Sequence, residues 1–119
     1  MEAKFSQRVK DVLSYSREEA MRLGNDTVGV EHLLLGIIRE GNGLAVQVIK
    51  EMSFDLDSLK TEIENSISVS GRKVRSHDNL PLSKQAERAL KLTYLESKLL
   101  NSELIGTEHL LLAILKDED

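Results

Sequence analysis

The second half of this 119-residue chain repeats the first half at a constant distance of 77 positions. The clearest copy is a run of glycine, one variable residue, glutamate, histidine and three leucines, which begins at Gly29 and again at Gly106. The correspondence continues upstream without a gap, since Ser6 aligns with Ser83 and Leu23 with Leu100. An ungapped repeat of this length predicts two small units of one fold that bury their apolar faces against each other.

The repeated units have the pattern of α-helices. Between Phe5 and Leu23 apolar residues recur every three to four positions, which indicates an amphipathic helix with Ser6 as its N-cap and Gly24 in its stop signal. Three more helices are predicted in the first unit, over about 31–39, over about 44–52 and from an N-cap at Asp55 to about 67. In the helix over about 44–52, the residues expected to face inward are Leu44, Val48, Ile49 and Met52.

This pattern predicts an all-α fold, a tandem pseudo-twofold repeat of small four-helix units. Strands are not expected, because period-two alternation is confined to 66–69. We assign the first repeat to about 5–69, a polar linker to about 70–81 and the second repeat to about 82–119, all within one domain. The second copy stops at a position equivalent to Asn42 and is therefore expected to be truncated to two helices. Either the chain is a fragment of something longer or the second unit is naturally short. We favour a fragment, because the last helix would otherwise leave Leu111, Ile114 and Leu115 partly uncovered.

Composition narrows the class of protein. The absence of cysteine excludes disulfides, thiolate nucleophiles and cysteine-ligated metals. A net charge of −4 argues against nucleic acid as the main partner. The polar N-terminus does not resemble a signal peptide, and no apolar run approaches the roughly 20 residues that cross a bilayer. We therefore expect a cytoplasmic protein with no membrane partner.

The Glu-His pairs raise the question of catalysis. Zinc peptidases need two histidines four positions apart on one helix, whereas each copy here has one histidine followed by leucines. Nucleophile-elbow and ATP-binding phosphate-loop motifs are also missing from this sequence. We expect no catalytic residue, no metal and no enzymatic activity in this chain, and a structural role for His32 and His109. The acidic pair Glu18-Glu19 is expected to lie on a solvated helix face.

Glu31 and Glu108 allow two interpretations. Each lies in the first turn of a helix, where a carboxylate interacts favourably with the helix dipole, and this alone could explain it. Alternatively, each carboxylate points into a groove beside the start of its own unit's first helix, marked by Ser6 or Ser83. Free backbone N–H groups at such a start bind anions. A ligand that combines a guanidinium with a phosphate would satisfy both groups.

The two units, with Phe5-Ser6-x-Arg8-Val9 or Leu82-Ser83 at the start and Gly-x-Glu-His-Leu-Leu-Leu further on, resemble the Clp N-terminal (Clp R) domain of AAA+ protein unfoldases. The run SREEAMRLGNDTVGVEHLLLGIIREGNGLA is similar to the ClpC branch. The resemblance covers nearly the whole chain. It implies an eight-helix domain, of which this chain would hold six helices.

The resemblance implies a binding module. Such domains receive adaptor proteins and protein substrates for the AAA+ ring, which unfolds them and delivers them to a Clp peptidase. ATP and Mg²⁺ would belong to AAA+ modules outside this chain. In some ClpC proteins the domain also recognises phosphoarginine, which by motif points to Glu31 with Ser6 and to Glu108 with Ser83, beside Phe5 and Leu82. The motif threonine is kept as Thr107 but replaced by Val30 in the first unit. The alternative is a stand-alone helical scaffold that binds a peptide or partner helix in an apolar groove.

Overall fold

The computed structural model describes residues 4–67, 80–99 and 104–116, and most of them are helical, which confirms the all-α class. The helices are α1 (Gln7–Arg22), α2 (Val30–Glu40), α3 (Leu44–Glu51), α4 (Leu56–Asn65), α5 (Lys84–Leu99) and α6 (Thr107–Lys116). Two short strands are β1 (Lys4–Phe5) and β2 (Leu104–Ile105). Of the predicted linker, only Leu80 and Pro81 are among the described residues.

The helix ends follow from local side-chain chemistry. Ser6 Oγ accepts a hydrogen bond from the Val9 N–H (3.2 Å), and Ser83 Oγ accepts the equivalent bond from the Ala86 N–H (3.0 Å). Both serines therefore act as N-caps. Gly24 has a φ of 78°, the left-handed conformation that commonly follows a helix end. Helices α1 and α5 begin and end at positions 77 apart, from 7 to 84 and from 22 to 99, as the repeat predicts.

The strands pair the two units crosswise. Phe5 of β1 pairs in parallel with Ile105 of β2, and Leu82 forms the equivalent isolated bridge with Val28. The Ser6 N–H donates to the Ile105 carbonyl, and the Ser83 N–H donates to the Val28 carbonyl, each at 2.9 Å. The expectation of no strands was wrong here, because two-residue strands are too short to produce a period-two pattern. Each unit's first segment is thus held by the other unit.

Both units contribute to one aliphatic core. Its fully buried residues come from α1, α2, α3, α5 and α6, and include Val12, Leu33, Ala45, Ala86 and Leu110. Ile114 is also largely buried, at 9% exposure, so the expected open face of α6 is narrower than its sequence indicated.

The orientation of α3 differs from the predicted one. Ala45 and Val46 are its buried residues, whereas Leu44, Val48 and Met52 are 40–64% exposed. The reason lies in the second unit, because the buried Oγ1 of Thr107 accepts a hydrogen bond from the Ala45 N–H (3.2 Å). Thr107 therefore caps α3 from the other unit and turns the Ala45 side towards α6.

The predicted exposure of Glu19 was also wrong. Its side chain is 7% exposed and is held by the Arg22 guanidinium in two hydrogen bonds of 3.0 and 3.1 Å. Arg39 of α2 lies 3.6 Å from the same carboxylate. These two cations offset the free energy that the Glu19 carboxylate loses when it leaves water. The spacing of residues along α1 could not predict this burial, because Arg39 belongs to α2.

Candidate functional site

Each Gly-x-Glu-His motif forms the start of a helix, with the histidine bonded back to the glycine. His32 Nδ1 accepts the Gly29 N–H at 2.9 Å, and His109 Nδ1 accepts the Gly106 N–H at 2.8 Å. Both imidazoles are buried, with exposures of 4% and 3%. They satisfy N–H groups that a helix start leaves without an intrahelical partner, which confirms the structural role predicted for the histidines.

The hydrogen bonds of His32 define its neutral form. Because Nδ1 accepts from Gly29, the proton lies on Nε2, which donates to Asn25 Oδ1 at 2.9 Å. Burial lowers the pKa of His32 below its ordinary value, although the carboxylates of Glu31 and Glu19 oppose this effect.

This lowered pKa predicts a loss of stability in acid. The unfolded chain binds a proton at His32 near pH 6.5 and the folded chain only at lower pH, so the stabilising contribution is complete above pH 6.5 and is lost as pH falls towards the folded pKa. We expect the free energy of unfolding, measured with urea between pH 7.5 and 5, to fall less steeply in His32→Gln than in the parent chain. The difference in slope is at most about 1.4 kcal/mol per pH unit. Parallel slopes would contradict the assignment.

The motif glycine leaves room for the motif glutamate. A Cβ at Gly29 would lie 3.0 Å from Glu31 Oε1, and a Cβ at Gly106 would clash with the Glu108 carboxylate. Each carboxylate therefore lies against the backbone that begins its own helix. Glu108 keeps a third of its side chain exposed, so it remains accessible to a ligand.

Glu108 faces a cavity of about 490 Å³ that we call the Ser6 pocket. Three helices begin at its wall, α1 at Gln7, α3 at Leu44 and α6 at Thr107. Their positive dipole ends favour a negatively charged ligand group. The complete lining consists of Ser6, Gln7, Arg8, Asp11, Glu40, Leu44, Gly106, Thr107 and Glu108.

Glu31 faces a smaller cavity of about 300 Å³, the Ser83 pocket. Here the start of α2 and the cap of α5 meet the C-terminal end of α4, which contributes a negative dipole end. The lining consists of Asn25, Thr27, Gly29, Glu31, His32, Ser66, Ile67 and Ser83. The Ser83 pocket therefore has fewer helix starts than the Ser6 pocket but also fewer carboxylates, with Glu31 alone where the Ser6 pocket has Asp11, Glu40 and Glu108.

The predicted pairing of serine and glutamate within each unit was wrong. Ser6 shares a pocket with Glu108 of the second unit, and Ser83 shares one with Glu31 of the first unit. The crosswise backbone bonds cause this exchange, because they place each unit's first-helix start beside the other unit's Gly-x-Glu-His turn. Phe5 and Leu82 are the residues that form these crosswise pairs, and neither is part of the lining of the Ser6 pocket or of the Ser83 pocket.

Sequence reasoning missed the charged pair Arg8–Glu40 on the wall of the Ser6 pocket. Arg8 Nη1 donates to Glu40 Oε2 at 3.0 Å, and the Arg8 side chain is 45% exposed. Arg8 lies two residues after the capping serine, and this position in the sequence could have indicated a cation beside the anion site.

Among the residues that the structure describes, no group of three histidine or acidic side chains could hold a metal ion. No helix in these same ranges is long and apolar enough to cross a membrane.

Comparison with known proteins gives a consistent result. The family model of the Clp repeat (R) N-terminal domain matches residues 4–119. Chaperone protein ClpB of Oceanobacillus iheyensis is 33% identical over 117 residues, and the negative regulator of genetic competence ClpC/MecB of Bacillus subtilis is 32% identical over 117 residues. Each match covers 98% of this chain but only 14% of the relative. The N-domain of ClpV from Vibrio cholerae superposes with a TM-score of 0.81 at 18% identity, over 93% of this chain and 66% of that one.

Proposed function

Because this chain belongs to the Clp repeat N-terminal domain family, we propose that it receives protein substrates and adaptor proteins for a Clp ATPase ring and its peptidase. The chain spans about one seventh of the length of the curated relatives it matches, 14%, and their ATPase activity is not assigned to it. We further propose that its two polar pockets recognise phosphoarginine on those substrates.

The observation that supports phosphoarginine is the make-up of each pocket. A glutamate from one unit lies in the same cavity as a serine-capped helix start from the other unit. A guanidinium binds a carboxylate through two parallel hydrogen bonds, and a phosphate binds the free N–H groups of a helix start. In the Ser6 pocket three helix starts and Arg8 favour a phosphate, whereas the carboxylates of Asp11 and Glu40 oppose it.

The test is a titration with free phosphoarginine, monitored by amide resonances in ¹⁵N spectra. We expect shifts at Ser6, Glu31, Ser83 and Glu108 that saturate at millimolar ligand and weaken as salt rises, because the contacts are partly exposed ion pairs. The double variant Glu31→Ala/Glu108→Ala should lose them. Glu62→Ala, on the exposed surface of α4, is the matched control and should retain them. Shifts that arginine alone or inorganic phosphate reproduces, or spectra that do not change, would count against phosphoarginine.

A second candidate function is docking of a partner helix or peptide without phosphate chemistry. It is favoured by a groove of about 450 Å³ between α2, α3, α4 and α6, which is lined only by apolar side chains. Grooves of this kind bind the apolar face of an amphipathic helix.

A further inference from the structure

One side of α5 carries a row of basic side chains, which we call the α5 stripe. Three of its members are lysines at a spacing of seven residues, and an arginine and a leucine lie between them on the same side. The stripe consists of Lys84, Arg88, Lys91, Leu95 and Lys98. At about 3.6 residues per turn these positions fall within about a quarter of the helix circumference, along a length of about 21 Å. All of these side chains are exposed.

The stripe lies on the side of α5 that faces away from the core. The buried residues of α5 are on the opposite side and comprise Ala86, Ala89, Thr93 and Ser97. The main neighbours of α5 are α6, α2 and β2, just as those of α1 are α2, α6 and β1. Neither α3 nor α4 packs along α1. The repeat therefore provides no helix that would lie along the stripe.

The charge of this side is specific to the second unit. The equivalent positions of α1 are Gln7, Asp11, Ser14, Glu18 and Met21. They include two carboxylates and no cation, whereas the stripe has four cations and no carboxylate. Because the net charge of the whole chain is −4, the stripe is a local reversal of the overall charge. The two units therefore share a core pattern but differ in the sign of the charge on this surface.

The stripe places unfavourable charges on α5 in the free chain. Lys84 is the first residue of α5, where its charge meets the positive end of the helix dipole. Lys84 and Arg88, four positions apart, are like charges that repel each other. Within the described ranges, Lys84, Lys91 and Lys98 form no salt bridge, and Glu87 at the edge of the stripe offsets only part of the charge. An acidic ligand would relieve this repulsion.

The geometry of the stripe fits a second helix. Helices packed side by side pair residues of opposite charge at heptad spacing, which is the spacing of the stripe lysines. Leu95, which is 56% exposed in the middle of the stripe, provides a contact for one apolar side chain of the partner. An acidic helix with carboxylates seven residues apart and a leucine between them is therefore complementary to the stripe in charge and shape.

Nucleic acid and membrane fit the stripe less well. Aromatic rings beside basic residues bind single-stranded nucleic acid by stacking on its bases, but the ring of Tyr94 lies against Phe5, with centroids 5.7 Å apart. The net charge of −4 also opposes a long polyanion. A helix that lies in a membrane surface buries a broad apolar face, whereas cations occupy four of the five stripe positions.

From these observations we propose that the α5 stripe docks an acidic amphipathic helix of a partner protein. The proposal rests on the protein-binding part of the proposed function and specifies the chemistry of one partner. It does not depend on phosphoarginine, because no residue of the stripe lines the Ser6 pocket or the Ser83 pocket.

The test uses the intact 119-residue protein and a designed probe. The probe is a capped, fluorescently labelled helical peptide of about three heptads, with glutamates at heptad spacing and a leucine between them. In fluorescence anisotropy we expect it to bind the parent protein, less tightly as salt rises, and to lose roughly tenfold or more in affinity when glutamine replaces its glutamates. The protein variant Lys84→Gln/Lys91→Gln/Lys98→Gln should lose the same binding. Amide resonances of Arg88 and Leu95 should shift in the parent protein.

A second triple variant controls for overall charge. Lys10→Gln/Lys50→Gln/Lys60→Gln removes the same charge from exposed positions outside α5 and should bind the peptide as the parent protein does. An equal loss of affinity in both triple variants, or equal affinities for the glutamate and glutamine peptides, overturns the proposal.

Two further probes separate this proposal from other ligands and from the proposed function. Tighter binding of single-stranded DNA or of phosphatidylserine vesicles through the stripe lysines would assign the stripe to nucleic acid or membrane and overturn the proposal. Reduced and carbamidomethylated lysozyme, an unfolded protein of positive charge, tests substrate binding independently of the stripe. If the parent protein binds this lysozyme but not the acidic peptide, the stripe proposal fails and the proposed function stands. The converse result supports the stripe and counts against substrate binding.

Discussion

Gly36→Ala is expected to lower the free energy of unfolding by about 3 kcal/mol, the upper end for an added methylene in a packed core. Gly36 lies where α2 crosses α1, and a Cβ there would stand 2.6 Å from the Val12 carbonyl oxygen and would also clash with Ser16 Oγ. The Ser16 hydroxyl donates to the same Val12 carbonyl at 2.7 Å, so it cannot turn away without losing that bond. The two helices must separate to admit the methyl group. Urea unfolding measures the change, and a melting temperature about 10 °C lower should accompany it.

The second unit supplies the matched control for this prediction. Ala113 occupies the position equivalent to Gly36, Ala89 occupies the position equivalent to Val12, and both alanines are fully buried. Compared with the first unit, the second unit thus has a larger side chain on α6 and a smaller one on α5 at these positions. Ala113→Gly should therefore cost only about 1 kcal/mol, the ordinary penalty for glycine within a helix. If Gly36→Ala costs no more than Ala113→Gly, the two helices are not in contact at Gly36.

The features that the sequence predicted correctly are governed by neighbours along the chain. Ser6 and Asp55 cap α1 and α4 as expected, since a cap needs only a side chain and the amides two or three residues later. The repeat predicted the bounds of α5 because the same local pattern recurs 77 residues on. The structural role of the histidines also followed from a bond between positions three residues apart.

The features that the sequence did not reveal depend on contacts between distant segments. The buried side of α3 is set by Thr107, 62 residues after Ala45, and apolar spacing within α3 indicated the opposite side. The serine that shares a pocket with each motif glutamate was predicted wrongly for the same reason. A repeat shows that two units are alike, but not whether their edges meet within a unit or across the pair. The Phe5–Ile105 and Val28–Leu82 pairings decide that question.

The crosswise arrangement has a consequence for ligand binding that can be tested one pocket at a time. Glu108→Ala is expected to abolish the phosphoarginine-induced shift at Ser6 and to leave the shift at Ser83 unchanged. Glu31→Ala should do the reverse. A charge-assisted hydrogen bond contributes about 1.5–3 kcal/mol, so the affected pocket should lose roughly tenfold or more in affinity.

This prediction separates the crosswise pockets from pairing within a unit, in which Glu108→Ala would act at Ser83. Ser6→Ala provides an independent comparison because it weakens the helix start without touching a carboxylate. Combined with Glu108→Ala, its effect on affinity should be non-additive, since both residues line one pocket. Combined with Glu31→Ala, it should be additive, because Glu31 lines the other. The reverse pattern of coupling would mean that a ligand bridges residues of one unit, which the Ser6–Ile105 and Ser83–Val28 hydrogen bonds do not permit unless the two units separate.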